Sequence, residues 1–297
     1  WSLIHGAGHI ADPNSYNATV NNLNPGPNTF IWTVTKGLCK SVDSLNRINN
    51  YVVSNAGLDD TVCTTTGQLN ALNPLLFFPG QGVGAWTTVG GTGVADNPTL
   101  PNSTVSNLSF GTNRFRWTVV KGGCTATDDA IVYNNRVVVS ASDTTSCTFP
   151  INLNGNNPVG NTGIWINVGG YGTVQNPSQY NSLYSGLNPG LSNVLRWKIY
   201  NANCADSVDI TVTNNGFSVS AGPDLTTCDD TAKLNATVIP LPGLGTWTVE
   251  AGSGTFDGVN NPKTVVRGLG QGINKFRWSA TQNGCNASNV VTIVNNR

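Results

Sequence analysis

Short stretches of alternating apolar and polar residues recur along the whole chain. In residues 114–119, Phe115, Trp117 and Val119 alternate with polar side chains, and residues 30–34, 195–199 and 276–280 repeat the pattern. A period of two residues is typical of a half-buried β-strand, so each stretch predicts a strand. Further short strands are predicted at residues 51–54, 86–89, 104–108 and 130–133. No window has the period of an amphipathic helix. With turn residues roughly every 8 to 12 positions, the chain is predicted to be all-β and built of β-sandwiches.

The strands belong to a larger repeat, which is marked by tryptophan, cysteine and asparagine. One set of tryptophans stands seven residues before a cysteine, in the pairs Trp32 and Cys39, Trp117 and Cys124, Trp197 and Cys204, and Trp278 and Cys285. A second set stands 38 or 39 residues before the same cysteines, at Trp1, Trp86, Trp165 and Trp247. An Asn-Asn pair begins ten residues after each cysteine, at Asn49, Asn134, Asn214 and Asn295. Such self-similarity predicts stacked copies of one structural unit.

The spacing of these cysteines predicts three whole immunoglobulin-like repeats and part of a fourth. They recur after 85, 80 and 81 residues. We expect residues 1–50 to be the C-terminal part of a truncated repeat, and residues 51–135, 136–215 and 216–297 to be complete repeats of about 80 residues. No Gly/Ser-rich or Pro-rich linker separates them, so little flexibility is expected between repeats. The predicted architecture is a rod.

Each complete repeat has a second, earlier cysteine, and the spacing predicts one disulfide inside each repeat: Cys63–Cys124, Cys147–Cys204 and Cys228–Cys285. A repeat of this size has a core that is only marginally sufficient, and closing such a loop stabilises a fold by roughly 4 kcal/mol. Disulfides indicate an oxidising, extracytoplasmic compartment. Buried free thiols are the alternative. Zinc is disfavoured, because the chain has no Cys-x-x-Cys spacing and only two histidines.

Cys39 has no such partner within the sequence. Its partner is expected about 60 residues earlier, before residue 1, and Trp1 corresponds to a tryptophan that stands in the middle of the later repeats. We therefore expect the sequence to start inside a repeat of a longer protein. In an alternative interpretation another chain supplies the missing half by strand donation.

Composition excludes several classes of function. Only 10% of residues are charged, the net charge is zero and Glu250 is the single glutamate. No basic stripe favours nucleic acid or an anionic membrane surface, and no apolar run is long enough to insert into a membrane. Without paired glutamates or a catalytic histidine arrangement we expect neither an enzyme nor a cofactor. His5 and His9 are interpreted as part of an ordinary loop rather than a metal site. Acidic pairs at residues 59–60, 128–129 and 229–230 could bind calcium or cap turns.

The motif order gives the repeat a family resemblance. It reads G-x-D-x-x-x-C, then G-x-W-x-V, G-x-G, a proline and L-x-x-G-x-N-x-F-x-W, followed by the closing cysteine and Asn-Asn. The second repeat has Leu108, Gly111, Asn113, Phe115, Trp117 and Cys124, and the last has Leu269, Gly272, Asn274, Phe276, Trp278 and Cys285. This pattern resembles the tandem Ig/PKD-like repeats of giant Bacteroidota surface proteins exported by type IX secretion, such as the gliding-motility adhesin. The resemblance implies an extracellular, cell-surface location, an adhesive or filament-forming role, and no catalytic residues.

We therefore expect a stalk or fibre segment of a large repetitive cell-surface adhesin. This interpretation depends on a disulfide inside each repeat and on the absence of flexible linkers between repeats. Its partners would be neighbouring repeats and, laterally in a filament, other copies. The alternative is a carbohydrate-binding module for surface polysaccharide. Because the tryptophans face the core, only scattered aromatic residues such as Tyr171, Tyr180 and Tyr184 are left for it. A third interpretation is the accessory stalk of an enzyme.

Two further sets of residues are candidate sites. The resemblance implies O-glycosylation of Asp-Ser/Thr before a small or aliphatic residue, which gives Ser44, Thr61, Thr144, Ser207 and Thr231. Turn capping by Asp-Ser/Thr is the alternative. An apolar loop contains Leu75, Leu76, Phe77 and Phe78, with a counterpart at residues 239–242. Apolar clusters on a surface usually mark contacts. Packing on a neighbouring repeat is the first interpretation of this loop, and lateral contact or ligand binding are the others.

Overall fold

The computed structural model describes residues 1–76 and 82–297. These residues form β-strands and a single 3-10 turn at Pro74–Leu76. No helix in this part of the chain is long and apolar enough to cross a membrane. Every sheet is built from strands of one sequence repeat, and the predicted all-β sandwich class is confirmed.

The first repeat supplies only part of a sandwich. Its strands are β1 (Ser2–His5), β2 (His9–Ile10), β3 (Val20–Asn21), β4 (Gly26–Lys36) and β5 (Cys39–Asn49). They form a three-stranded sheet in the order β1-β4-β5 and a two-stranded sheet of β2 and β3. Almost every residue of β5 is exposed.

The second repeat forms a complete two-layer sandwich. Its strands are β6 (Asp60–Val62), β7 (Gly67–Gln68), β8 (Val83–Gly90), β9 (Val94–Ala95), β10 (Thr104–Ser106), β11 (Gly111–Lys121) and β12 (Cys124–Asn134). One sheet has the order β6-β12-β11-β8 and the other β7-β10-β9. Neighbouring strands are antiparallel except β6, which runs parallel to the last residues of β12.

The third and fourth repeats have the same topology. The third contains β13 (Thr144–Ser146), β14 (Ile151–Asn152), β15 (Thr162–Asn167), β16 (Thr173–Val174), β17 (Leu183–Ser185), β18 (Ser192–Tyr200) and β19 (Ala205–Asn214). The fourth contains β20 (Leu225–Thr227), β21 (Thr231–Lys233), β22 (Leu244–Ala251), β23 (Thr255–Phe256), β24 (Val265–Arg267), β25 (Gly272–Gln282) and β26 (Cys285–Asn295). The larger sheets have the orders β13-β19-β18-β15 and β20-β26-β25-β22, and the smaller ones β14-β17-β16 and β21-β24-β23.

Each complete repeat has its own hydrophobic core, centred on its two tryptophans. In the fourth repeat Trp247 and Trp278 lie opposite each other on β22 and β25, with ring centroids 5.1 Å apart and at most 2% of either side chain exposed. A β-carbon on Gly245 would overlap the Trp278 ring. The Gly-x-Trp motif therefore supplies the Trp247 ring and, at Gly245, a backbone without a side chain on which the Trp278 ring lies.

The described residues group into two compact units. The first consists of Trp1–Arg136 and Ala202–Cys204, and the second of Val137–Asn201 and Ala205–Arg297. The first unit thus holds the first and second repeats with a three-residue turn that precedes β19, and the second holds the rest of the third repeat and the fourth.

The predicted disulfides inside the repeats are wrong. The bonds are Cys63–Cys204 and Cys147–Cys285, with Cα–Cα distances of 5.5 and 5.4 Å, while Cys39, Cys124 and Cys228 are free and exposed. The reason is strand register. Val62, next to Cys63, lies opposite Asn134 at the end of β12, whereas Cys124 is the first residue of that strand. Ten residues of strand separate the two cysteines by roughly 33 Å, far beyond the reach of a disulfide.

The same register holds in the other two complete repeats. Ser146 lies opposite Asn214 and Thr227 opposite Asn295, so each earlier cysteine is at the far end of the strand from the closing one. We call Cys63, Cys147 and Cys228 the strand-end cysteines, and Cys39, Cys124, Cys204 and Cys285 the closing cysteines. Each disulfide joins a strand-end cysteine to the closing cysteine of the next sequence repeat.

Candidate functional site: the junctions between repeats

The first asparagine of each Asn-Asn pair caps the end of its repeat; it is half-buried at Asn49 and buried at Asn134, Asn214 and Asn295. Asn214 donates from Nδ2 to the carbonyl oxygen of Leu187 at 2.7 Å and accepts from the N–H of Gly216 at 2.9 Å. Asn49 makes the equivalent bonds to Leu23 at 2.8 Å and Tyr51 at 3.0 Å. One side chain therefore closes the finished sandwich and orients the first residues of the next repeat, because it bonds backbone groups on both sides.

The second asparagine contacts the next repeat directly. Asn50 Nδ2 donates to the carbonyl oxygen of Gly122 at 3.2 Å, and Asn215 Nδ2 donates to that of Asn283 at 3.3 Å. Gly122 and Asn283 each follow the penultimate strand of their repeat, in the tight turn before the closing cysteine. The end of one repeat is thus bonded to the last hairpin of the next.

These hairpin turns have the backbone that a two-residue connection requires. Lys121 pairs with Cys124 across the turn of Gly122 and Gly123, whose φ angles are 50° and 85°. The turn of the fourth repeat has φ angles of 48° at Asn283 and 78° at Gly284. Two positive φ values fit a type I′ turn, which favours asparagine and glycine. A tight turn projects beyond the sheet, so its carbonyl oxygen and the adjacent cysteine are accessible to the preceding repeat.

In the second compact unit, a disulfide lies beside the asparagine contact. Asn215 donates its backbone N–H to the Ser146 carbonyl oxygen at 2.8 Å, which holds it next to Cys147. Cys147 bonds to Cys285, whose side chain is only 2% exposed. The junction of the third and fourth repeats is therefore both hydrogen-bonded and covalent. In the first unit Cys63 bonds to Cys204 in the same pattern.

Arginine–aspartate pairs brace the hairpins that carry these turns. Arg116 on β11 donates from Nε and one terminal nitrogen to Asp129 on β12, at 2.7 and 3.0 Å, and Arg196 contacts Asp209 in the same bidentate way. The hydrogen bond from Arg116 holds the pKa of Asp129 below its usual range, and the bond from Arg196 does so for Asp209. In the fourth repeat Arg277 pairs instead with Glu250 on β22.

The candidate glycosylation residues lie on strands. Ser44, Thr61 and Ser207 are exposed, and Thr144 and Thr231 are half-buried. The aspartate before Ser44, Thr61 and Ser207 accepts the N–H of that same residue, at 2.8 Å in each case. O-glycosylation of these residues stays a prediction.

The candidate contact loop is described only in part. Leu75 exposes 67% of its surface. Phe77 and Phe78 lie outside the described residues. The side chain of Leu76 also lies outside the described part of the chain. A contact role for this loop stays a prediction.

The acidic pairs contact backbone and arginine. Asp59 accepts the N–H of Ile131 and Asp128 that of Ala56, both at 2.8 Å, while Asp129 pairs with Arg116. Within residues 1–76 and 82–297, no group of three or more His, Cys, Asp or Glu side chains could hold a metal ion.

One tyrosine assigned to a possible sugar-binding surface is in the core. Tyr184 is fully buried, and its hydroxyl donates to the Tyr171 carbonyl oxygen at 2.6 Å and accepts from Asn193. Burial raises the pKa of Tyr184. Tyr171 and Tyr180 are 56% and 37% exposed. The interpretation of Tyr184 as a surface residue was wrong, because it takes the inward-facing position of a strand residue in the small sheet.

The order and pairing of the strands define the class: the chain is an all-β protein of tandem immunoglobulin-like sandwiches. No protein-family model matches it, and no curated protein does.

Solved structures with some similarity are multidomain immunoglobulin-like proteins. An I-band fragment from titin is 9% identical, with 82% of this chain and 98% of that chain covered and a TM-score of 0.34. Extracellular domains 3-5 of Drosophila OTK are 10% identical, with coverages of 83% and 96% and a TM-score of 0.35. The insect immune protein hemolin is 11% identical, with coverages of 91% and 82% and a TM-score of 0.36. These likenesses are too distant to carry a functional conclusion.

Proposed function

We propose that this chain is a segment of the stalk or fibre of a large, repetitive cell-surface adhesin. The observation that supports the proposal is the junction, where a buried asparagine cap, an asparagine-to-turn hydrogen bond and a disulfide meet. The two disulfides support an oxidising compartment outside the cytoplasm. The stalk interpretation no longer depends on disulfides inside the repeats, because bonds from repeat to repeat resist extension more directly.

The two disulfides form overlapping loops, which limits how far the chain can be stretched. One loop spans residues 63–204 and the other residues 147–285, so residues 147–204 belong to both. The shortest covalent path runs from residue 1 to 63, crosses to 204, returns to 147 and crosses to 285 before reaching 297. It contains fewer than half of the 297 residues. This bond pattern suits a protein that works under tension.

Single-molecule force spectroscopy tests the proposal. At about 3.5 Å per residue, the oxidised chain should reach a fully stretched length of roughly 45 nm, against roughly 100 nm after reduction. The matched control is a chain with Cys124→Ser and Cys228→Ser, which keeps both disulfides and should keep the short length. Equal lengths before and after reduction would remove the main support for a stalk.

The finer elements of the proposal are surface anchoring, type IX export and participation in gliding, which rest on the motif resemblance. Intact-mass measurement of native protein would show sugar on the Asp-Ser/Thr sites as added mass. A glycan array on the whole chain addresses the carbohydrate-binding alternative. Tight binding to one polysaccharide would favour a binding module over a stalk.

A further inference from the structure

The second tryptophan of each complete repeat is held in the same place. These residues are Trp117, Trp197 and Trp278, each at most 1% exposed. Each ring lies on a glycine in the edge strand of the larger sheet, where an added β-carbon would overlap the ring; the glycines are Gly84, Gly163 and Gly245. The three repeats can therefore be compared at the indole nitrogen.

The indole nitrogens differ in their partners. Trp197 Nε1 donates to Asn156 Oδ1 at 3.3 Å, and Trp278 Nε1 donates to the carbonyl oxygen of Thr237 at 3.1 Å. Within residues 1–76 and 82–297 nothing accepts a hydrogen bond from Trp117 Nε1, although this atom is buried. A buried donor without an acceptor costs about 1–3 kcal/mol, and such exceptions often mark a site for a missing partner.

The difference arises in the connection that follows Leu72. This residue matches Asn156 and Thr237, because its backbone N–H makes the same bond to the start of its repeat. Its side chain offers no acceptor. From Leu72 to Gly84 the chain advances twelve positions, against seven and eight in the third and fourth repeats. The longer connection contains the 3-10 turn Pro74–Leu76, and a cavity lies beside the Trp117 ring.

This cavity is mostly apolar and has a volume of about 230 Å³. Its walls include Asn73, Pro74, Leu75, Gly84, Leu100 and Trp117, and none of the described residues that line it is charged. Leu75 and Leu100 are 67% and 49% exposed, so they form an apolar rim. An apolar cavity of about 150 Å³ binds benzene, which indicates room here for a molecule of roughly nine non-hydrogen atoms.

We propose that this cavity binds a small neutral molecule that is apolar except for one carbonyl oxygen. The matching indoles direct Nε1 towards the residue in the place of Leu72, so Trp117 directs its own to the side where Asn73 and Pro74 line the cavity. The ligand's oxygen accepts that hydrogen bond, and its apolar body covers the rim leucines. A charged ligand is disfavoured, because no lining charge would offset its desolvation. The site lies within one repeat and does not depend on the proposed stalk.

Acetophenone and α-methylstyrene are a matched pair of probes, because they differ only in a carbonyl oxygen that a methylene group replaces. In an NMR titration of the ¹⁵N-labelled chain, acetophenone should move the indole N–H signal of Trp117 downfield. The signals of Trp197 and Trp278 should stay in place, since both groups are already bonded. α-Methylstyrene should shift the amide signal of Gly84 in the cavity wall without the downfield move at Trp117.

Two leucine variants locate the binding. Leu75→Ser should weaken acetophenone binding roughly four-fold, the value of one buried methylene group. Leu241→Ser is the matched control, because Leu241 is an exposed leucine in the corresponding loop of the fourth repeat and does not line the cavity. It should leave the affinity unchanged.

Leu72→Asn gives the second repeat the side chain that bonds the indole in the third. Leu72 is 36% exposed, so a polar side chain is tolerated there. The Trp117 signal should then lie downfield without any probe, and acetophenone should bind roughly two- to ten-fold more weakly, as expected for one lost hydrogen bond.

Three results would overturn the proposal. In the first, the Trp117 signal of the unliganded wild-type chain already lies downfield with those of Trp197 and Trp278, which would mean that its N–H has a partner. In the second, acetophenone fails to bind, or saturates the protein while that signal stays in place. In the third, α-methylstyrene moves the signal downfield as far as acetophenone does.

Discussion

The junction of the first and second repeats and that of the third and fourth share one bond and differ in another. Asn50 donates to Gly122 at 3.2 Å, and Asn215 donates to Asn283 at 3.3 Å, so the hydrogen bond from asparagine to turn is the same. Only the later junction adds a disulfide, Cys147–Cys285. Residues 1–50 contain no strand-end cysteine, and Cys124 stays exposed at the matching place. The repeats dock through hydrogen bonds, and the covalent bond is added to a contact that already exists.

The short strand that ends just before the strand-end cysteine also completes the larger sheet. β13 runs parallel to the end of β19, where Ser146 lies opposite Asn214. β19 alternates buried and exposed residues towards that end, whereas β5 is exposed along nearly all of its length. One segment therefore finishes one sandwich and supplies the thiol that bonds to the next.

Removing the Cys147–Cys285 disulfide should have the largest effect on stability, and it should make the two junctions alike. The double variant Cys147→Ala/Cys285→Ala should destabilise the second compact unit by roughly 4 kcal/mol, because the bond closes a loop of 138 residues. Hydrogen exchange followed by mass spectrometry would measure the loss repeat by repeat.

Cys124→Ala is the control for that variant. It removes an exposed thiol that forms no disulfide, so the first unit should change by less than about 0.5 kcal/mol. If both variants gave the same loss, the Cys147–Cys285 bond would not be what distinguishes the junctions.

The asparagine caps should give the next largest effect. Asn49→Ala and Asn214→Ala each leave a backbone carbonyl oxygen without its donor, at Leu23 and Leu187. The loss costs about 1–3 kcal/mol at the buried Asn214 and nearer about 1 kcal/mol at the half-buried Asn49. Faster amide exchange should reach the following repeat only in Asn49→Ala, because Cys147–Cys285 still holds the later junction.

An Asn→Asp substitution at the same two positions sharpens the interpretation, since it removes the donor and keeps the shape of the side chain. If faster amide exchange reached the following repeat equally at both junctions, the disulfide would not limit the destabilisation to one repeat.

The long strands and the tryptophan core could be predicted from the sequence, and the disulfides could not. The alternation around Phe115 and Trp117 exposes the periodicity of β11 directly, and both residues are fully buried. Cysteine spacing, by contrast, measures distance along the chain. It does not show that β6 meets β12 at the end away from Cys124, which is a matter of tertiary register. Strands of two residues, such as β7 and β9, are too short to show any period.

The candidate site was visible in the sequence as a pattern without a role. Asn-Asn recurs ten residues after each closing cysteine, but the two asparagines have different partners. The first bonds to the backbone of its own sandwich, and the second donates to the hairpin turn of the next repeat. Which one faces which repeat depends on where the chain leaves β12 or β19. The four closing cysteines and three strand-end cysteines did contain one usable signal, because a bond from each repeat to the next leaves three thiols unpaired, as observed.

Replacing the second asparagine should have a smaller effect, which differs between the junctions. Asn50→Ala removes the hydrogen bond to Gly122, worth about 0.5–1.5 kcal/mol, and the first repeat should then tumble more independently of the second. Asn215→Ala should leave the third and fourth repeats coupled, since their disulfide remains. Backbone ¹⁵N relaxation measures both. The comparison fails if Asn215→Ala frees its repeats as much as Asn50→Ala does.

Acid should have the smallest effect, and it should act on the hairpin of the first junction. Arg116 holds the pKa of Asp129 below its usual range, so the pair stabilises the β11–β12 hairpin above the unfolded pKa of about 3.9. This stabilisation, below about 1 kcal/mol for a pair near the surface, is lost as the pH falls through the lowered pKa of the folded state. Carboxyl NMR titration would report that pKa, and amide exchange in β11 and β12 the stability. Asp129→Asn should remove this part of the acid dependence while leaving that of β25 and β26 unchanged, because Arg277 pairs there with Glu250. An Asp129 that titrates at its ordinary pKa would show that the ion pair contributes nothing to the hairpin that Asn50 holds.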